Sequence, residues 1–258
     1  TYRGSLIKGL EASVRAGTTT LVDISSQHII DPLLACPIRI IECFETFALD
    51  PGQAEAKALE IADVLSSARP LCVAPLLSGI QLGLSPHAPY TVSAELYRRC
   101  FELAQIFDCL LTTHVAETRE EIEFLSNGGG SIRQLYNELG QALAWYQAPA
   151  KTPLQHCLSQ RDSTTSLPLL LAHGTYINDA DLALLKQHQA AIAYCPRCSH
   201  EYFGHLAHPW KRLLAANIPV CLGTDSLASN SSLSVRDEID YLIQRHPNEN
   251  PETFWAMA

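Results

Sequence analysis

The chain has 258 residues, 47% of them hydrophobic. That is enough to bury one large core, and single α/β barrels commonly occupy this length range. A formal charge of -9, from 27 acidic and 18 basic residues with no run of five Lys or Arg, argues against nucleic acid and anionic membrane surfaces as partners.

No apolar stretch reaches the ~18 residues that a membrane-spanning helix requires, so the sequence reads as one soluble domain over residues 1–258. Nine cysteines, an odd count scattered through apolar segments, suit buried free thiols in a reducing cytoplasm rather than a disulfide framework. The sequence opens at Thr1 without Met and stops at Ala258 inside a helical pattern, so a fragment is expected. A removed targeting segment stays open.

In chain order, Leu6, Leu10 and Val14 give Ser5 to Arg15 a helical period, with Gly17 as its stop signal. Two apolar runs rich in strand-forming residues follow, Thr18 to Ile24 and Ile38 to Phe47. Later strands are expected at Ile80 to Pro86, Leu110 to Glu117, Leu167 to Gly174, Ala191 to Pro196 and Val220 to Asp225. Helices are expected at Ala54 to Ser66, Ser93 to Phe107 and Asp179 to His188. The Asn127 to Ser166 segment, with Gly128 to Gly130, Pro149 and Pro153, reads as an elaborated crossover with one or two helices. This cadence predicts a parallel sheet covered on both faces, either doubly wound or closed into a barrel.

Five of the expected strands end in ionisable or nucleophilic side chains: His87, His114 with Glu117, His173, Cys195 with Cys198, and Asp225. In a parallel barrel all the carboxyl ends open on one face, where catalytic residues gather. A lone strand-end His is more often structural, and Asp225 also fits a helix N-cap. His114 and Glu117, three apart, can offer a ligand and a proton carrier to one pocket. Phe44, Phe47, Tyr90, Tyr202 and Phe203 could wall a flat substrate or belong to the core. Cys195 and Cys198, followed by His200, His205 and His208, also resemble a zinc or redox cluster.

Taken in order, six motifs resemble the amidohydrolase superfamily. They are Ala16-Gly17-Thr18-Thr19-Thr20, Ser85-Pro86-His87-Ala88-Pro89-Tyr90, His114-Val115-Ala116-Glu117-Thr118, Leu171-Ala172-His173-Gly174, Cys195-Pro196-Arg197 and Gly223-Thr224-Asp225-Ser226. The similar branch holds the cytosine, guanine, S-adenosylhomocysteine and aminodeoxyfutalosine deaminases and the related chlorohydrolases.

The resemblance implies a TIM-type (β/α)8 barrel of the α/β class and one divalent metal, Zn²⁺ or alternatively Fe²⁺. It makes His114 and Asp225 metal ligands, Glu117 the proton shuttle, His173 a partner of the reacting water, and His87 a substrate contact, with Glu117 and Asp225 also meeting substrate. The implied reaction is hydrolytic deamination of an aminated heterocycle by hydroxide formed on the metal. The alternatives are chlorohydrolase or cyclic amidohydrolase chemistry and, from another class, a non-catalytic barrel or a Cys/His zinc-binding module. A small molecule is the expected partner, and a homo-oligomer is left open.

Two departures stand out. The family's first strand carries His-x-His, yet no two of the ten histidines here are two apart. The barrel is therefore expected to be incomplete, lacking strand one and the chain-end β-sandwich, with little or no activity alone. The family usually has a small polar residue and then Asn after its Cys-Pro-x start, and Cys198 and His200 depart from it here, with a bearing on substrate choice. Arg197 and His200 read either as contacts to a polar or anionic substrate or as loop anchors.

Overall fold

A computed structural model describes residues 2–27, 29–30, 32–72, 79–141, 143–162, 164–205 and 207–258. The chain opens with α1 (Tyr2–Arg15), which ends at Gly17 in a left-handed conformation (φ +87°), and continues with β1 (Thr20–Ser25) and β2 (Arg39–Thr46). Next come α2 (Ala54–Cys72), β3 (Ile80–Pro86), α3 (Ala94–Phe107) and β4 (Leu110–Val115). The crossover holds α4 (Arg119–Asn127), α5 (Gly130–Glu138) and α6 (Pro153–Leu158). The last part comprises β5 (Leu169–His173), α7 (Asp179–Gln187), β6 (Ala191–Tyr194), α8 (Trp210–Ala215), β7 (Val220–Leu222), α9 (Val235–Arg245) and α10 (Pro251–Ala256).

Among the described residues seven strands form, all parallel and hydrogen-bonded in sequence order, β1 to β7. A doubly wound sheet reverses its strand order part-way along the chain, whereas a barrel does not, so the order decides for the barrel. β1 and β7 are the two edges, so this is a curled, open part of a barrel. Helices cover it: Leu96, Tyr97, Cys100 and Ala104 of α3 are fully buried, as are Leu84, Leu111, Leu171 and Ile192 on successive strands. Burying one such Leu contributes about 1.5–3 kcal/mol.

Side-chain caps fix where helices leave the strand ends. Ser93 Oγ accepts the Leu96 N–H (3.2 Å), and Thr118 Oγ1 accepts the Glu121 N–H (3.3 Å). Asn178 and Asp181 form a reciprocal capping box. Each cap stabilises its helix by about 1 kcal/mol. At Gly83 the strands approach so closely that a Cβ would overlap Cys43 Sγ and come within 3.2 Å of the Leu110 carbonyl oxygen.

Some boundaries differ from expectation. The strands expected from Leu110, Leu167, Ala191 and Val220 are shorter than expected, covering Leu110–Val115, Leu169–His173, Ala191–Tyr194 and Val220–Leu222, so His114 and His173 lie within the sheet while Glu117, Cys195 and Asp225 follow it. Within the Asn127 to Ser166 part of the crossover two helices form, α5 and α6, and a second small core gathers Leu49, Phe124, Ile132 and Leu143, with Tyr90, Tyr136 and Tyr146 packed against it. The last helix ends at Ala256, capped at Met257. Among the described residues no helix is long and apolar enough to cross a membrane.

Candidate active site

The turns after three strands set the site. Ala116 (φ 51°), His173 (φ 70°) and Asp225 (φ 58°) all adopt left-handed backbone, which costs a residue with a Cβ about 1–3 kcal/mol. These are the positions where β4, β5 and β7 deliver polar residues. Glu121 braces the first turn: its buried carboxylate accepts the N–H groups of Ala116 (3.1 Å) and Glu117 (2.9 Å). Thr118 and Glu121 have the spacing of a capping box, a signal readable in sequence, but here Glu121 reaches past the cap residue to the turn before it.

Two histidines are fixed in tautomer. His114 Nδ1 donates to the His87 carbonyl (2.9 Å), which leaves Nε2 as its free donor for coordination. Thr91 Oγ1 donates to the Ala88 carbonyl, so it accepts from His87 Nδ1 (2.7 Å), and His87 Nε2 likewise keeps its lone pair. The His87 and His114 rings lie 5.1 Å apart, and His114 stacks on His173 at 5.4 Å.

The ionisable residues form two adjoining groups, each with its ligand atoms within 4.8 Å of one another: Glu45, His87 and His114, and Glu117, His173 and Asp225. The sequence-expected ligands His114 and Asp225 therefore fall in neighbouring groups, joined through the His114–His173 stack. Glu45, near the end of β2, was missed. It lies inside the aromatic run Phe44 to Phe47, and only the curl of the sheet sets it beside His87 and His114.

Glu117 Oε1 is 3.1 Å from His173 Nε2. Burial pushes the Glu117 carboxyl up to about 7, with Asp225 adding to the rise and His114 opposing it. Burial drives His173 down to about 3 and His87 down to about 4, both with a further push from His114, so both rings are neutral near pH 7. Burial also raises Glu45. Burial would raise Asp225 too, but hydrogen bonds from Cys198, Ser229 and the Ser226 N–H outweigh it and hold the carboxyl below its ordinary value. The site thus holds a carboxyl that can keep a proton at neutral pH beside one that stays ionised, the pairing that acid-base chemistry needs.

Other candidates find different roles. Asp225 is no helix cap, since Ser234 caps α9. Arg197 is a loop anchor: its N–H and Nε donate to the two oxygens of the fully buried Glu238 (2.9 and 2.8 Å). His200 bonds the Tyr194 hydroxyl and the His205 carbonyl. Among the described residues, Cys195, Cys198, His200, His205 and His208 belong to no group with ligand spacing. Phe44 is core, Tyr90 meets the His87 ring edge-on at 5.7 Å, and Phe47, Tyr202 and Phe203 are exposed.

Known proteins resemble this chain in sequence and in fold. The chain is 34% identical over 189 residues to the aminodeoxyfutalosine deaminase of Deinococcus radiodurans, covering 70% of this chain and 44% of that protein. It is 29% identical over 249 residues to the 5'-deoxyadenosine deaminase of Methanoregula boonei, covering 92% and 48%. The chain thus spans about half the length of these relatives. Its fold matches Helicobacter pylori aminofutalosine deaminase in complex with methylthio-coformycin with a TM-score of 0.82, at 21% identity, over 99% of this chain and 60% of that one. The profile of the amidohydrolase family matches residues 2–258, and on that match the chain belongs to the amidohydrolase family.

Proposed function

We propose that this chain forms most of the barrel of a metal-dependent hydrolase that deaminates an aminated heterocycle of nucleoside type. The observation that carries this reading is the Glu117–His173–Asp225 group, with a proton-holding carboxyl 3.1 Å from a neutral imidazole and close to an ionised carboxylate. The names of the relatives support the substrate class.

The donor set fits a divalent metal: an imidazole whose Nδ1 is bonded to a carbonyl, leaving Nε2 unengaged, and a carboxylate held ionised. His114 and Asp225 would hold it, Zn²⁺ by choice and Fe²⁺ as the alternative. A catalytic zinc ordinarily takes three protein ligands. We place the remaining donors on a further strand paired to the β1 edge. When bound, the metal activates water as a nucleophile near neutral pH.

The chain's own residues then move the protons. Asp225 accepts one from the attacking water. Glu117 gives its proton to the ring nitrogen beside the amino-bearing carbon and passes protons on to the departing amine, which leaves as ammonia. His173 orients the water through Nε2, and His87 Nε2 contacts the substrate. The eight cysteines with described side chains are free, seven of them buried, which supports a reducing cytoplasm as the compartment.

The test is ammonia release from a panel of aminopurines, aminopyrimidines and their nucleosides by the full-length protein, with Glu117→Gln alongside. The expected result is release from at least one of them, lowered about 10²–10⁴-fold in the variant. Release of chloride or opening of a cyclic amide without any ammonia would move the chemistry to another reaction of the same family.

A further inference from the structure

The Asp225 carboxylate sits in a cage of three donors from its own chain. The Ser226 N–H donates to Oδ1 (2.7 Å), while the Ser229 hydroxyl (2.6 Å) and the Cys198 thiol (2.8 Å) both donate to Oδ2. An ionised carboxylate has about two acceptor sites on each oxygen. Oδ2 is therefore filled in the resting site and Oδ1 keeps one lone pair, and Asp225 takes the proton of the water on Oδ2 once the Ser229 hydroxyl turns to the Ser226 carbonyl, 3.4 Å away.

We propose that Cys198 and Ser229 are positioning residues that occupy Oδ2 and thereby present Asp225 Oδ1 to the divalent metal. The inference rests on the metal-dependent reading above and adds to it which oxygen coordinates and which side chains select it.

Three features support the assignment. Cys198 is fully buried, so water cannot replace its thiol as a donor. The two donors also come from different segments, Cys198 from the turn after β6 and Ser229 from the loop after β7, and both meet the same oxygen, so turning the carboxylate away would break both bonds.

Both loops are tied to a single buried group. Glu238 accepts from Arg197, beside Cys198, and from Asn230 Nδ2 (2.8 Å), beside Ser229. Asn230 Nδ2 also donates to the carbonyl of Thr224, which precedes Asp225 (2.6 Å). The cage is thus held by a frame independent of Asp225 itself, as expected for an outer ligand shell.

The test loads the full-length protein with Co²⁺, whose visible absorption reports coordination geometry and whose thiolate charge-transfer band reports sulfur ligation. The native protein is expected to bind Co²⁺ without a thiolate band. Cys198→Ala lowers Co²⁺ affinity about 10–100-fold and alters the visible spectrum. Cys198→Ser, which restores a donor, recovers both. Ser229→Ala, at a half-buried position, gives a similar loss and carries the test alone if Cys198→Ala does not fold.

Unchanged affinity and spectrum in Cys198→Ala and Ser229→Ala would overturn the proposal while leaving the metal reading intact. A thiolate band in the native protein that vanishes in Cys198→Ser would overturn it by making Cys198 a ligand. Failure of the native protein to take up Co²⁺ would overturn both together.

Discussion

Replacing Glu238 by Ala removes the one buried carboxylate that ties the loops after β6 and β7 together. Glu238 is fully buried, its partner Arg197 has an 11% exposed side chain, and three N–H donors converge on it at 2.8 to 2.9 Å. Breaking a buried ion pair by deleting one member costs about 3–5 kcal/mol, because the other charge is left buried without compensation. Arg197 keeps weaker contacts to Ser231 Oγ (3.1 Å) and the Ser232 carbonyl (3.3 Å), which places the expected loss near ~3 kcal/mol. For a domain of this size each kcal/mol lowers Tm by about 2–4 °C, so the melting point should fall by ~6–12 °C. Glu238→Gln, which preserves shape and one carbonyl acceptor, should lose about half as much. Thermal and urea unfolding followed by circular dichroism measure both. Hydrogen exchange should also quicken across residues 223–232. A loss below ~1 kcal/mol, the range of exposed ion pairs, would refute the view that Glu238 anchors the site.

Other outcomes follow from the same geometry. His114→Ala should remove the divalent metal, measured per chain by elemental analysis, and full retention would overturn its assignment as a ligand. Glu42, fully buried opposite Asp23, is pushed up to about 8 by burial and by that neighbour, from an ordinary 4.5. The folded state therefore keeps a proton that the unfolded chain releases first, so the contribution of Glu42 to stability is fully present below about pH 4.5 and is lost as pH rises toward about 8. Glu42→Gln should flatten urea midpoints over that window, and parallel curves for variant and native protein would sink the assignment. Gly83→Ala should destabilise by about 1–3 kcal/mol through overlap with Cys43 Sγ, and less in a Cys43→Ala background. Equal losses in both backgrounds would place the strain elsewhere.

Strand existence was legible because each buried strand is an apolar run, and Ile80–Pro86 matches its expected bounds residue for residue, whereas the apolar runs left the order of strands in the sheet open between doubly wound and barrel. The site was legible only in part. His114, Glu117, His173 and Asp225 stand at strand ends, where a one-dimensional pattern can find them. Glu45 could not be found that way, because it lies in the run from Phe44 to Phe47 and gains its meaning from His87 and His114 across the curl of the sheet. Arg197 was open between substrate and anchor because its partner, Glu238, lies 41 residues away. The small core around Phe124 was equally hidden, since Tyr136 and Tyr146 stack on that ring from beyond the crossover's glycines.

The left-handed turns at Ala116, His173 and Asp225 set folding and chemistry against each other. At each of them glycine would relax the backbone, so the residues that make the site reactive are also the ones the fold holds least comfortably. Selection for heat resistance alone would favour Gly or Asn at positions 173 and 225 and return a sturdier barrel with an empty mouth, whereas selection for turnover must retain that local strain and recover stability elsewhere.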